Sequence, residues 1–309
     1  MHSLLYVEKL DSKNQKTIYN LVYEMEYKMN KKIVVTGAGG YIGRHIVKKL
    51  LDDGNSVIAV DINLNDVDDR AEKISYNIFE CGEDCYEVLG RPEVCLHMAW
   101  RNGFVHNDNS HIEDLYKHYI FIETMLKGGL KQIAVMGTMH EVGYFEGAID
   151  ENTPTNPLSL YGIAKNSLRE LTILLGEKYD AVVQWIRGYY IYGDDLKNHS
   201  IFTKLVQAEK EGKTEFPFTS GKNLYDFMSV DELATQIMAV VTQDKVNGII
   251  NCCSGVPVSL ADKVEEFIKE HDFKIKLKYG AFPDRPYDSP GIWGNPEKID
   301  EILHDRGLK

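Results

Sequence analysis

Two side chains four residues apart, Tyr161 and Lys165, are the pair in this sequence best suited to moving a proton. On a helix that spacing sets both on one face, a single turn apart. A phenol that trades a proton near neutral pH needs its ordinary pKa of about 10 brought down, and a neighbouring ammonium favours the phenolate. Tyr-x-x-x-Lys arises by chance in many helical proteins, so its surroundings decide its meaning. Thr138 stands 23 residues earlier at the end of an apolar run, and a glycine-rich turn, Gly37-Ala-Gly-Gly40-Tyr41-Ile42-Gly43, lies about 120 residues before Tyr161. Glycines there allow a tight turn and let backbone N–H groups approach a pyrophosphate at a helix N-terminus. Asp61, 18 residues past Gly43, is placed to accept hydrogen bonds from both hydroxyls of an adenosine ribose. Its charge would repel a 2′-phosphate, so the expected cofactor is NAD, with NADP disfavoured.

These residues need a strand–turn–helix–strand unit to carry them. Residues 33–36 form a short β-branched run that stops at Gly37, residues 42–51 follow with helical periodicity, and residues 56–61 read as a second buried strand. Strand-like runs at 94–99, 133–136 and 182–186 alternate with helical segments at about 114–127 and 159–178, the second of which carries Tyr161 and Lys165. Such alternation predicts an α/β fold, a Rossmann-type doubly wound parallel sheet. After Gly193 the pattern loosens into a helix over 201–211, a loop holding Phe216-Pro217-Phe218, a helix from Val230 and a proline-containing terminal stretch. The predicted division is an N-terminal extension (1–30), an NAD-binding Rossmann domain with the catalytic helix (31–193), and a smaller C-terminal substrate lobe (194–309) with some segments returning to the first domain. Within the extension, Ile18, Leu21, Val22 and Met25 have the spacing of a short amphipathic helix. Residues 1–28 read as dispensable, an upstream translation start.

Bulk composition narrows the function. A chain of 309 residues with 43% hydrophobic content can bury a real core, and a net charge of −12 argues against nucleic acid as a partner. No apolar run approaches the ~20 residues needed to cross a bilayer. The five cysteines show no zinc-binding spacing, and their odd number without a secretion signal suggests free thiols in a cytoplasmic protein. No metal site is expected. His106, His111 and His118 read as helix or loop surface residues. His140 reads as a polar residue lining the cleft or, more sharply, as a substrate hydrogen-bond partner.

With these residues in hand, the chain over roughly 31–309 resembles the extended short-chain dehydrogenase/reductase family, which holds nucleotide-sugar epimerases, dehydratases and reductases. Gly37, Gly40 and Gly43 match the family's Gly-x-x-Gly-x-x-Gly turn, with Tyr41 and Ile42 inside it, and Asp61 matches its acidic residue. Asn77-Ile78 resembles the Asp-Ile pair that contacts adenine, and His97-Met98-Ala99-Trp100 the strand end that runs beside the cofactor. The resemblance implies Thr138, Tyr161 and Lys165 as the catalytic set: Tyr161 as acid/base, Lys165 lowering the Tyr161 pKa and holding the nicotinamide ribose, Thr138 orienting the reacting oxygen. Arg187-Gly-Tyr189-Tyr190-Ile-Tyr-Gly193 resembles a motif whose Tyr189 position lies at the cofactor and whose Tyr190 position is normally an asparagine on the substrate diphosphate. Tyr225 replaces an arginine of a second substrate motif, whereas Arg285 keeps a third contact to the pyrophosphate. A homodimer is expected.

The same resemblance separates activities. Met139-His140 stands where 4,6-dehydratases carry Asp-Glu, and Asp194-Asp195 where 3,5-epimerase/reductases carry a histidine. What remains is NAD(P)-dependent reduction of a 4-keto nucleotide sugar, of the dTDP-4-keto-6-deoxyhexose type, or 4-epimerisation. Reduction is favoured because two of three diphosphate contacts are altered, which suits one substrate pose. A non-catalytic NAD-binding regulator is the reading from a different class.

Overall fold

A computed structural model describes residues 30–193, 200–284 and 289–309. Residues 1–29 of the expected 1–30 extension, Asp194-Asp195 and Arg285 lie outside the described residues. Fourteen strands are present among them: β1 (Lys32–Thr36), β2 (Ser56–Asp61), β3 (Glu72–Ser75), β4 (Val94–His97), β5 (Gln132–Thr138), β6 (Gly147–Ile149), β7 (Val182–Gly188), β8 (Tyr190–Tyr192), β9 (Glu215–Pro217), β10 (Leu224–Ser229), β11 (Gly248–Cys252), β12 (Pro257–Ser259), β13 (Lys276–Lys278) and β14 (Gly291–Gly294). The helices are α1 (Tyr41–Asp52), α2 (Cys85–Val88), α3 (Ser110–Glu113), α4 (Leu115–Gly128), α5 (Leu160–Tyr179), α6 (Ile201–Lys210), α7 (Val230–Val241), α8 (Leu260–Glu270) and α9 (Glu297–Asp305).

Seven strands form one sheet in the order β11-β7-β5-β4-β1-β2-β3, every pair parallel. Successive side chains of a strand point to opposite faces, and β1 follows that rule: Ile33 and Val35 enter one core cluster, Val34 the other. Ile46, Val47 and Leu50 of α1 and Leu233 and Ile237 of α7 fill the first cluster. Phe121, Ile122 and Met125 of α4 and Leu168 and Leu175 of α5 fill the second. Helices thus cover both faces of a Rossmann-type sheet. The strand order reverses between β1 and β4, which opens a crevice at their C-terminal ends.

One strand end and one whole strand differ from expectation. The run at 94–99 stops as a strand at His97, because the Ala99 N–H turns to the Thr36 hydroxyl (3.4 Å) instead of a neighbouring backbone. Edge strand β3 has only one half-buried residue, Ile74, so no apolar pattern marked it; pairing with β2 holds it.

A second sheet, β12-β10-β14-β6 with β8 also paired to β10, and the pair β9–β13 build the smaller lobe. Strand β11 instead joins the large sheet beside β7, and α9 is tied to the loop after α1 by Arg306, which donates to both Asp53 oxygens (2.7 and 2.9 Å).

Candidate active site

The glycine turn is shaped by close backbone approach. Gly37 has φ +71°, and a Cβ there would lie 2.7 Å from the Ala99 nitrogen. A Cβ at Gly43 would collide with the Gly37 carbonyl oxygen and sit 3.0 Å from Ala38. Gly40 caps α1 without a side-chain hydrogen bond, and no acidic residue occupies the first turn. The positive end of α1 therefore meets the crevice with its N–H groups uncovered by side chains, which suits a pyrophosphate. Asp61 closes the turn from below: Oδ2 accepts from the Gly39 N–H (3.0 Å) and Oδ1 from the Ile62 N–H (2.7 Å). Oδ1 also takes a longer bond from the Asn63 N–H (3.4 Å), and Oδ2, with one partner, keeps a lone pair for a ribose hydroxyl. A cradle that only glycine fits, backed by a carboxylate, matches the shape and chemistry of a dinucleotide.

The other cofactor-side expectations divide. Met98 and Ala99 abut Gly37, Ile42 packs on the core, and the Tyr41 hydroxyl lies against Gly193. The Asn77 side chain caps the short turn Ile78–Glu80, accepting from the Phe79 N–H (3.1 Å) and donating to Glu80 (2.8 Å), and Ile78 is buried. Tyr189 does not present its phenol to the cleft; the ring is buried in the core against Gly294, and burial pushes its pKa well up. The family motif set Tyr189 at the cofactor, but the residue joins β7 to β8 and its ring turns into the core.

Helix α5 is fixed at its first turn. Ser159 Oγ accepts from the Gly162 N–H (3.1 Å), Asn107 Oδ1 from Leu160 (3.2 Å) and the His106 carbonyl from Tyr161 (2.9 Å). Three donors that a helix end leaves orphaned are thereby satisfied, two of them by a loop more than fifty residues away in sequence. Thr138 ends β5. Its hydroxyl accepts from the His140 N–H (3.3 Å), which leaves its own proton to donate, and its presence draws the Tyr161 pKa down.

Lys165 is 3% exposed. Its Nζ donates to the Met136 carbonyl (2.6 Å) and sits 3.8 Å from the centre of the Trp100 ring. Burial draws its pKa down to about 7, opposed by the charge of Glu141. Burial likewise pushes Tyr161 up to about 12, with Thr138 opposing and Glu141 adding. The phenol's pKa thus lies above its ordinary value, not below it. Desolvation of the phenolate wins, and the lysine's charge is spent on a carbonyl and an indole face.

The histidines correct the sequence reading most sharply. His111 and His118 are each 1% exposed, not on the surface. The His106 ring stacks on Tyr161 (5.5 Å, 17°) and lies 4.4 Å from His140. Trp100 Nε1–H donates to His111 Nδ1 (3.0 Å), so the His111 proton is on Nε2, where it meets the Val105 carbonyl (3.0 Å). His118 stacks on Trp100 (4.5 Å, 10°) and joins a buried chain, Thr36 Oγ1 to His97 Nδ1 (2.8 Å) and His97 Nε2 to His118 Nδ1 (2.9 Å). Burial takes His140 down to about 4, so it is neutral at physiological pH. The helix face bearing His118 turns into the core because Phe121, Ile122 and Met125 share it.

Glu141 was missed. It is fully buried, its Oε1 accepting from the Thr138 N–H (2.7 Å) and Trp185 Nε1–H (2.9 Å), its Oε2 3.5 Å from Arg187 Nη2. The signal was available: Thr138-x-x-Glu141 is a capping-box spacing. On the substrate side, Tyr190 and Tyr225 meet with ring centres 4.1 Å apart, and Phe227 stands 5.7 Å from Tyr190. The two altered positions thus form one aromatic wall. Among the described residues no three His, Cys, Asp or Glu side chains gather as a metal site, and no helix is long and apolar enough to cross a membrane.

Known proteins are similar to this chain in sequence and fold. Over 270 residues the chain is 47% identical to dTDP-6-deoxy-L-talose 4-dehydrogenase (NAD(+)) of Aggregatibacter actinomycetemcomitans, covering 85% of this chain and 98% of the relative. An uncharacterized UDP-glucose epimerase of Bacillus subtilis is 24% identical over 88% of this chain and 92% of the relative. Among solved structures, a UDP-N-acetylglucosamine 4-epimerase from Methanobrevibacter ruminantium in complex with UDP-N-acetylmuramic acid superposes with a TM-score of 0.78 at 20% identity, covering 88% of this chain and 92% of that one. That likeness bears on the fold. A family model, "Epimerase: NAD dependent epimerase/dehydratase family", matches residues 33–253, and with a relative at nearly half identity it establishes that the chain belongs to that family.

Proposed function

We propose that this protein is an NAD-linked oxidoreductase that interconverts the 4-hydroxyl and 4-keto forms of a dTDP-6-deoxyhexose by one hydride transfer. The observation that carries the proposal is the 47% identity, spread over 98% of its length, to a dehydrogenase named for that chemistry. The aromatic wall of Tyr190 and Tyr225 agrees with it, since it replaces polar diphosphate contacts and suits a single bound pose.

Bound NAD supplies or accepts the hydride at C4. The chain's own residues do the rest. Tyr161 gives its proton to the sugar O4 as the ketone is reduced and takes one back in the reverse direction. Thr138 donates to the same oxygen and orients it. Lys165, drawn from the Met136 carbonyl, holds the nicotinamide ribose, and its charge beside the phenol offsets the cost of the phenolate. The Gly37–Gly43 turn and the N-terminus of α1 hold the pyrophosphate, and Asp61 the adenosine ribose. His140, neutral, offers a hydrogen bond at the cleft wall, and Arg285 is assigned to the substrate diphosphate.

The test is spectroscopic. Purified protein with NAD and dTDP-6-deoxy-L-talose should raise NADH absorbance in proportion to the 4-keto sugar formed, and NADH with that product should run the reaction backward. Interconversion of two 4-hydroxyl epimers without net NADH change would replace this reading by a 4-epimerase. Tight NAD binding with no turnover of any nucleotide sugar would replace both by a binding protein.

A further inference from the structure

Strand β5 runs past the end of its neighbour β4. The last paired residues are His97 and Val135, whereas β5 continues beside β7 to Thr138. Beyond Val135, side chains take over the work of the missing strand: Lys165 Nζ bonds the Met136 carbonyl and Glu141 Oε1 bonds the Thr138 N–H. Residues i and i+2 of a strand point their backbone groups to the same side. The lysine and the carboxylate therefore serve one stretch of strand edge, directly behind Thr138.

Glu141 and Arg187 have no exposed side-chain surface. Every group placed around the carboxylate is a donor: the Thr138 N–H, the Trp185 indole N–H and the Arg187 guanidinium. These donors match a carboxylate, whose two oxygens only accept. Room for it comes from Gly137, where a Cβ would lie 2.7 Å from Glu141 Oε1 and run into Trp185 Nε1. Arg187 is anchored in turn to the Asp150 carbonyl (2.9 Å).

We infer that Glu141 is a positioning residue of the reaction, pinning the Thr138 backbone and supplying the buried negative charge that acts on Lys165. The inference rests on the roles of Thr138 and Lys165 proposed above. The other groups around Lys165 are the Trp100 ring, the Met136 carbonyl, Tyr161 on its own helix, and the imidazoles of His97 and His118, whose pKa values its charge depresses. Glu141 is the carboxylate among them, and it favours the ammonium against burial.

Two substitutions separate charge from reach. Glu141→Gln keeps an oxygen for both N–H donors and loses the charge. Glu141→Asp keeps the charge and falls one methylene short of Thr138. The readout is the rate at which acetic anhydride acetylates Lys165 in the cofactor-free protein as pH is raised, followed by peptide mass spectrometry, since only the amine reacts. The wild-type midpoint should fall near 7, and Glu141→Gln should lower it by about one unit, the smaller effect of an opposite charge. Glu141→Asp should keep the wild-type midpoint while kcat drops about 10-fold or more, the cost of a misplaced catalytic group. A Glu141→Gln midpoint equal to wild type overturns the inference. If that variant does not fold because Arg187 is left unpaired in the interior, Glu141→Gln/Arg187→Gln removes both charges. Losing the guanidinium partly offsets losing the carboxylate, so a smaller lowering is then expected, and an unchanged midpoint overturns the inference. A wild type that turns over no dTDP-6-deoxyhexose counts against the proposed function, and the acetylation midpoints still decide the role of Glu141.

Discussion

Replacing Lys165 by methionine is expected to abolish turnover while making the protein more stable near neutral pH. The ammonium is 3% exposed and has exchanged water for one carbonyl and one indole face. Its pKa falls from 10.5 to about 7. At ~1.4 kcal/mol per tenfold change, the folded state at pH 7 loses about 4 kcal/mol relative to an unfolded chain whose lysine is solvated. Methionine is of similar length and has no charge to desolvate, but it gives up the bond to the Met136 carbonyl, worth about 1 kcal/mol. The net gain is about 3 kcal/mol at pH 7. Its pH dependence has a definite sign. The unfolded lysine keeps its proton up to 10.5 and the folded one only to about 7, so wild-type stability rises with pH across that interval. The advantage of Lys165→Met is complete below pH 7 and fades towards 10.5. Urea denaturation of both cofactor-free proteins at about pH 6.5, 8 and 9.5 measures the gap. A mutant less stable than wild type at neutral pH, or a gap that does not close, refutes the reasoning.

Tyr161→Phe removes the transferable proton and keeps the ring, so kcat should fall by at least ~10² with NADH affinity and melting temperature little changed. Near-normal turnover would remove Tyr161 from the mechanism. Asp61→Ala should weaken NAD binding by about 1.5–3 kcal/mol and narrow the preference over NADP. Because Asp61 also holds the Gly39 N–H, the melting temperature should drop too; equal wild-type affinity for both cofactors in fluorescence titrations would contradict the assignment. Gly43→Ala drives a methyl into the Gly37 carbonyl, which should cost about 1–3 kcal/mol of stability and most of the NADH affinity. An unchanged melting curve would show that the turn yields more easily than its geometry implies.

What was legible in the sequence was what local spacing encodes. The turn from Gly37 to Gly43, the carboxylate ending β2 and the Tyr161/Lys165 pair all declare themselves within a few residues, and each lies beside the crevice in the folded chain. Environment was not legible. Four residues separate Tyr161 from Lys165, but their burial depends on Trp100, Met136 and Glu141, brought from other strands and turns. That burial reverses the expected direction of the phenol's shift. The histidines failed for a related reason. His118 lies among lysines and tyrosines in sequence, and only its partner His97, 21 residues away, makes its burial affordable.

The placement of β11 has a consequence for how the protein is made. Its partner β7 ends at Gly188, and β11 begins at Gly248, about 60 residues later. At ~5–20 residues per second, a ribosome leaves the outer edge of β7 unpaired for about 3–12 seconds after that strand is complete. During that interval Gln184 also lacks the carbonyls of Val240, Gln243 and Val246 that its amide later satisfies. A nascent chain stalled before Gly248 would present a hydrophobic strand with an open ladder of backbone donors and acceptors, the form most prone to pair with a second chain. Slow translation through residues 189–247 should therefore raise the demand for chaperones, and ribosome-bound intermediates of that length should crosslink to a holdase that the completed chain no longer recruits.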